Sequence, residues 1–165
     1  MPKRLHEKCK QQNWTKIKIV DGLPEGKGVF AICDIERGTY VCNYGGSFLN
    51  NRYCEQNLLP FEDKCNYLIE MKENINGRWN KVFLNHDENT TETFGKFLNH
   101  SKIHPNVKCQ IYVGEEGKFL DILFITTRDV KKGEEIVWDY GSNFSGVGRC
   151  VQSCARCKTT DKLVT

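Results

Sequence analysis

The sequence predicts a mainly β protein with short helices, its strands gathered into small curled sheets. Short runs rich in β-branched and aromatic residues recur along the chain, glycine-bearing turns separate them, and little of it carries apolar residues at helical spacing. A doubly wound sheet would instead alternate its strands with long amphipathic helices.

A length of 165 residues is that of one domain and suffices for a single core. Hydrophobic residues make up 39% and charged residues 27%, the balance of a folded globular chain. The net charge of +3 is weak, and the lysines are interspersed with acids, so no nucleic-acid-binding motif is read from it. Acids such as Glu55, Glu62, Asp63, Glu70, Glu115 and Glu116 offer surface to a basic peptide instead. Nine cysteines form no disulfide ladder, since Cys33, Cys42, Cys54, Cys65 and Cys109 are scattered singly and read as small buried hydrophobes. Met1–Lys8 contains no apolar signal region and no run approaches membrane length, so a reducing cytosolic or nuclear interior is expected, with no membrane partner.

Taken in order, residues 1–13 are polar, lack periodicity and are expected to form a flexible lead-in. Lys16-Ile17-Lys18-Ile19 alternates with period two, as a half-buried strand does, and Asp21 to Gly26 supplies turn chemistry. Gly28 to Ile32 is a second strand. Glu36-Arg37-Gly38 then turns the chain into a third, Thr39 to Tyr44. Asn50 to Leu59 is a short helix closed by Pro60. Asn76-Gly77 is the strongest hairpin signal and turns Leu68-Ile69-Glu70 back through Lys81 to Leu84. Thr90 or Thr91 is placed to cap a turn of helix through Phe94 to Leu98. Val107 to Val113 and Leu120 to Thr127 are the clearest strands, and no internal repeat stands out.

Gly26-Lys27-Gly28 lets backbone approach a ligand closely, because two missing Cβ atoms clear the way, although a strand follows it and the dinucleotide fingerprint is absent. Phe97-Leu98-Asn99-His100-Ser101 and Ile136-Val137-Trp138-Asp139-Tyr140-Gly141 are the other chemistry-bearing stretches. Phe83-Leu84-Asn85-His86 duplicates four letters of the first of these; the second copy is preferred, because Ser101 and a Pro105-Asn106 turn follow it.

The order G-x-G-V-x-A, I-x-x-G, N-Y-G-G, N-Y-L-I-E, N-H-S, K-K-G-E-E and D-Y-G, running from about Ile17 to Phe144, resembles the SET-domain protein lysine methyltransferases. The resemblance implies a SET fold with a C-terminal pseudoknot over residues 14–144, followed by a cysteine-containing tail, 145–165. It further implies S-adenosylmethionine held by Gly26, Lys27, Gly28, Tyr67, Asn99, His100 and Tyr140, with Asn99 and His100 at the adenine and ribose. Tyr140 and Tyr44 become the catalytic residues, Tyr44 and Trp138 the walls of a lysine channel. The strand Asn66 to Glu70 would accept the substrate peptide along its edge. A histone tail or another lysine-bearing peptide is the implied partner, and the nucleus, with the cytoplasm as a second compartment, the implied location. Asn43 departs from the glutamate common in the family. Cys150, Cys154 and Cys157 are zinc candidates, but Lys102 stands where the family's zinc module has a cysteine, leaving Cys109, His104 or no residue at all as a fourth ligand; zinc is therefore not favoured.

Overall fold

The computed structural model describes residues 3–61, 65, 67–75, 77–86, 92–113, 119–141 and 150–155. They fall into two compact units, each discontinuous in sequence. The first is formed by the described parts of Met1–Gly45 and Glu92–Asp139, the second by those of Gly46–Thr91 and Tyr140–Arg156.

The first unit begins with a helix, α1 (Lys3–Gln11), where a flexible lead-in is expected from the sequence. Its signal is faint because the inward face holds only Leu5 and the half-buried Cys9, four residues apart and so on one side of the helix. Lys8 and Lys10 complement the partial negative charge of its C-terminal turn. A nine-residue helix is marginal alone in water, so it is the burial of Leu5, 7% exposed, that holds it. Strands β1 (Ile17–Leu23) and β2 (Gly26–Ala31) then form an antiparallel hairpin. Next, β3 (Tyr40–Asn43) joins β8 (Val107–Val113) and β9 (Phe119–Thr126) in a three-stranded sheet ordered β3-β9-β8. Two two-residue strands, β7 (Asn99–His100) and β10 (Val137–Trp138), pair in parallel and bring the two motif-bearing stretches together. The core of this unit includes Val29, Cys42, Ile122, Phe124, Val130 and Ile136, all fully buried.

A repeat that the sequence conceals also lies here. Asp34-Ile35-Glu36-Arg37-Gly38 and Asp129-Val130-Lys131-Lys132-Gly133 face each other through an Ile35–Val130 bridge. Asp34 accepts from the Lys132 amide at 2.9 Å, Asp129 from that of Arg37 at 2.8 Å. Gly38 and Gly133 both adopt positive φ, 83° and 91°.

In the second unit, Asn50 caps α2 (Asn51–Asn57) by accepting from the amides of Arg52 and Tyr53. Cys54 of α2 packs with Cys65, Leu68 and Phe83, so these cysteines do serve as small hydrophobes. The hairpin predicted at Asn76-Gly77 is formed by β5 (Leu68–Ile75) and β6 (Arg78–Asn85), with Ile75 opposite Arg78 and Gly77 at φ 82°. The sheet is completed by β4 (Ser47–Leu49) and β11 (Cys150–Ala155) in the order β11-β5-β6-β4. Here the expectation of an open edge on the 66–70 strand meets a correction. Residues 69–74 of β5 are paired in parallel with 150–155, so from Ile69 onward β5 is an inner strand, and within the 66–70 stretch it is Ile69 and Glu70 whose edge is taken. Nothing in the alternation of β5 could reveal that, because the partner lies some eighty residues away in sequence and its pairing is main-chain.

Candidate active site

Gly26 opens β2 at φ 102°, a conformation costly for any residue with a Cβ. Gly28 has a different duty. A Cβ there would lie 2.6 Å from Leu23 Cδ1, 2.7 Å from Glu135 Oε1 and 3.1 Å from Asn99 Nδ2. The space the glycine frees is therefore used by the protein itself. Asn99 Nδ2 reaches past Gly28 to donate to the Lys27 carbonyl at 3.0 Å and to Glu135 Oε1 at 2.8 Å. With both amide hydrogens committed, Asn99 offers its oxygen, an acceptor, to anything that binds beside it. Glu135 lines the candidate cavity and was not singled out from the motifs; its signal was the K-K-G-E-E run, and a bridge to Phe30 holds it against β2.

The β7–β10 pair sets Asn99 opposite Val137 and His100 opposite Trp138. Asn106 locks the pair, its Nδ2 donating to the Glu135 carbonyl and its Oδ1 accepting from the Val137 amide, at 2.8 and 2.9 Å. The Asn106 side chain is thus spent on the fold, and is 1% exposed. His100 Nδ1 lies 4.0 Å from Asp139 Oδ1, too long and too wet to be worth much. A cavity of about 380 Å³ adjoins this pair, lined by Glu25, Asn99, His100, Ser101 and Glu135 among others. A larger one, about 740 Å³, is lined by Arg4, Lys8, Trp14, Glu36 and Tyr40 and contains none of the predicted site residues. The smaller cavity is the candidate, since it holds the convergent polar groups that orient a ligand.

Tyr44, just beyond β3, is 4% exposed, and its amide donates to the Ile122 carbonyl. Beside it stands a buried polar network absent from the sequence reading. Asn43, the residue that departs from the family's glutamate, donates from Nδ2 to Asp121 Oδ2 at 2.9 Å and accepts on Oδ1 from Gln12 Nε2 and Trp14 Nε1, at 2.8 and 3.0 Å. Asp121 Oδ1 accepts from the amides of Gly45 and Ile122. Burial raises the Asp121 carboxyl above its ordinary value of 3.8, although these three hydrogen bonds pull the other way. Burial likewise pushes Cys9 to about 12 and Cys42 well above the ordinary thiol value, the Asp121 charge adding to both, so neither is a reactive thiolate. A glutamate at position 43 would set a second carboxylate against Asp121, which gives the departure a physical reason.

Trp138 is 3% exposed and packs edge-on against Phe124, ring centroids 4.8 Å apart. Tyr67 precedes β5 and is 44% exposed, its carbonyl accepting from His86. Tyr140 is half-buried and lies beyond the end of β10. The first F-L-N-H copy does end a hairpin strand, with Asn85 the last residue of β6. Cys150 and Cys154 lie in β11, opposite Ile69 and Glu73, while Cys157 is outside the described residues. No cluster of metal-binding side chains occurs among the described residues. Protein purified without added metal is expected to be folded; one zinc per chain by elemental analysis, lost together with the fold on Cys154→Ser, would show the opposite.

The profile of the SET domain matches residues 26–141, more than half of the chain. The chain belongs to the SET-domain family. The probable histone-lysine N-methyltransferase set-23 of Caenorhabditis briggsae is 32% identical over 141 residues, which is 84% of this SET chain and 56% of the relative. The Caenorhabditis elegans protein of the same description is 31% identical over 154 residues, 91% of this chain and 61% of the relative. The chain therefore spans less than two thirds of the length of these relatives. Among solved structures, ATXR5 in complex with mono-methylated histone H3.1 aligns with a TM-score of 0.65 at 19% identity, over 89% of this chain and 66% of that one. CpSET8 from Cryptosporidium aligns with a TM-score of 0.63 at 22% identity, over 81% and 61%. Both confirm the mainly β SET fold expected from the sequence.

Proposed function

We propose that this SET domain transfers the methyl group of S-adenosylmethionine to the ε-amine of a protein lysine, in a histone tail. The observation that carries the reading is the Asn99-His100 strand, held against Val137-Trp138 and stitched to the Lys27 carbonyl, beside a cavity with polar lining. An acceptor fixed at Asn99 suits the amino group of adenine, and Gly26, Lys27, Gly28, Tyr67, His100 and Tyr140 are the remaining residues assigned to the cofactor. The two set-23 relatives, described as probable histone-lysine methyltransferases, and the histone complex of the ATXR5 structure support the substrate class. A role at chromatin, and so a nuclear location, follows from that substrate.

The reaction is an in-line displacement in which the amine lone pair attacks the methyl carbon and the sulfonium leaves as a neutral thioether. It requires an uncharged amine, correctly aimed in a dry passage. Desolvation favours the neutral amine, and Tyr44, Tyr140 and Trp138 are assigned to line that passage. A phenol near its ordinary pKa of about 10 is a poor base at neutral pH, so Tyr140 is assigned to orient the amine, with the proton lost to solvent.

Labelled S-adenosylmethionine incubated with each core histone in turn is expected to label at least one of them. Calorimetry locates the site: Asn99→Ala and His100→Ala are expected to weaken cofactor binding about tenfold or more, by removing groups that fix the adenosine, and Asn85→Ala to leave it unchanged. The reverse pattern would move the site to the first F-L-N-H copy. Cofactor binding without transfer to any histone would instead support a SET-fold binding module, for which Trp138 and Lys102 are the remaining departures now that Asp121 accounts for Asn43.

A further inference from the structure

Gln12 follows α1 and is the one non-glycine residue with positive φ, 52°, among the described residues. Glycine or asparagine usually fills this place after a helix, because a Cβ strains it. What holds the strained conformation is the side chain. Nε2 donates to the Cys9 carbonyl at 2.7 Å and to Asn43 Oδ1 at 2.8 Å, and Oε1 accepts from the Phe94 amide at 3.2 Å. The backbone partners leave one orientation of the amide, since a carbonyl must face nitrogen and an N–H must face oxygen. That orientation then obliges Asn43 to turn its own oxygen toward Gln12.

Gln12 thus ties together two stretches that both carry proposed site residues. Asn43 precedes Tyr44, while Phe94 begins the turn Gly95–Phe97 that leads into Asn99-His100. The two stretches touch closely. A Cβ on Gly95 would lie 2.3 Å from the Asn43 carbonyl oxygen and 2.8 Å from Tyr44 Cα, and Thr93 donates its hydroxyl to the Tyr44 carbonyl. Any slip of Phe94 would therefore move the segment bearing Asn99 and His100 with respect to Tyr44.

We propose that Gln12 is a positioning residue for methyl transfer, setting the spacing between Tyr44 and the 94–100 segment and making the N-terminal helix part of the site. The proposal rests on the methyltransferase reading above. Misplacing a reacting group by about 1 Å costs about 100-fold in rate, so partial loosening is expected to cost about tenfold.

The test uses Gln12→Gly and Gln12→Asn in the full chain. Both residues accept positive φ, yet the first removes the three hydrogen bonds and the second is too short to span from Asn43 to Phe94. Steady-state kinetics with a responsive histone, at a temperature where thermal denaturation shows each variant folded, are expected to give kcat lower by about tenfold or more per folded molecule. Amide hydrogen exchange at Phe94 should be faster by a similar factor, with Tyr44, whose amide is bonded to Ile122, unchanged. A purely structural residue would lower the melting temperature and leave kcat per folded molecule alone, and that result in either variant overturns the proposal. Failure of both variants to fold would also overturn it, because it would make Gln12 a determinant of the fold. Absence of transfer by the unsubstituted chain to every histone would sink the histone-methyltransferase reading on which the proposal rests, and is distinguished by not depending on either variant.

Discussion

Tyr140→Phe is expected to lower kcat and kcat/KM together by about 100-fold, the scale of a misaimed reacting group, with cofactor affinity changed by less than about threefold. The ring remains, so packing survives; the hydroxyl that would hold the amine lone pair in line with the methyl carbon is lost. A structural tyrosine predicts something else. Removing one hydrogen-bonding hydroxyl usually costs only about 1 kcal/mol of stability, and turnover would barely move. The measurement is steady-state kinetics on a histone peptide that responds to the unsubstituted protein, with cofactor binding by calorimetry and folding by thermal denaturation. A folded, cofactor-binding Tyr140→Phe protein with near-normal kcat would remove Tyr140 from the mechanism and turn attention to Tyr44.

The second large effect belongs to the buried network at position 43. Asn43→Asp places a carboxylate directly against Asp121, where the amide now donates at 2.9 Å. Two buried carboxylates at that distance cannot both ionise, so one must hold a proton at pH 7, which costs about 3 kcal/mol or more. In a chain of this size that lowers the melting temperature at pH 7 by roughly 10 °C. Combining it with Asp121→Asn should recover most of the loss. The donor then sits at position 121 and the acceptor at 43, which still receives Gln12 and Trp14, while the oxygen at 121 still receives the amides of Gly45 and Ile122. Melting temperatures of the two single variants and the double decide the matter, and a double variant no more stable than either single one would show that the donor order is not what holds the network.

The same group shapes the pH dependence. Between 3.8 and the raised folded value of Asp121, the folded chain holds a proton that the unfolded chain has already released. This group's contribution to stability is therefore complete below 3.8 and is lost as pH rises through the folded value. Asp121→Asn should remove that part of the pH dependence while leaving the contributions of the exposed carboxylates.

Local signals made much of this protein legible. Alternation and β-branched residues located β1, β8 and β9; Asn76-Gly77 located the β5–β6 hairpin; Asn50 marked the start of α2, which ends at Asn57, ahead of Pro60. Each depends on contacts within a few residues, where propensity, capping and turn chemistry act. The motif order identified the family and drew attention to Asn99-His100 and Val137-Trp138, the two stretches that the fold pairs in parallel.

What only the tertiary structure decided was which distant groups meet. The sequence shows Gly28 but not that Asn99 and Glu135 fill the space it leaves. Asn43 looked like a departure until Asp121, Gln12 and Trp14 were seen around it. Ile69 and Glu70 looked like an open edge because the parallel partner of 69–74 is the distant stretch 150–155, and α1 looked like a tail because two inward residues suffice to dock it. Hydrogen bonds between residues far apart in sequence leave no period in the chain, and burial depends on what packs over a residue as much as on its own polarity.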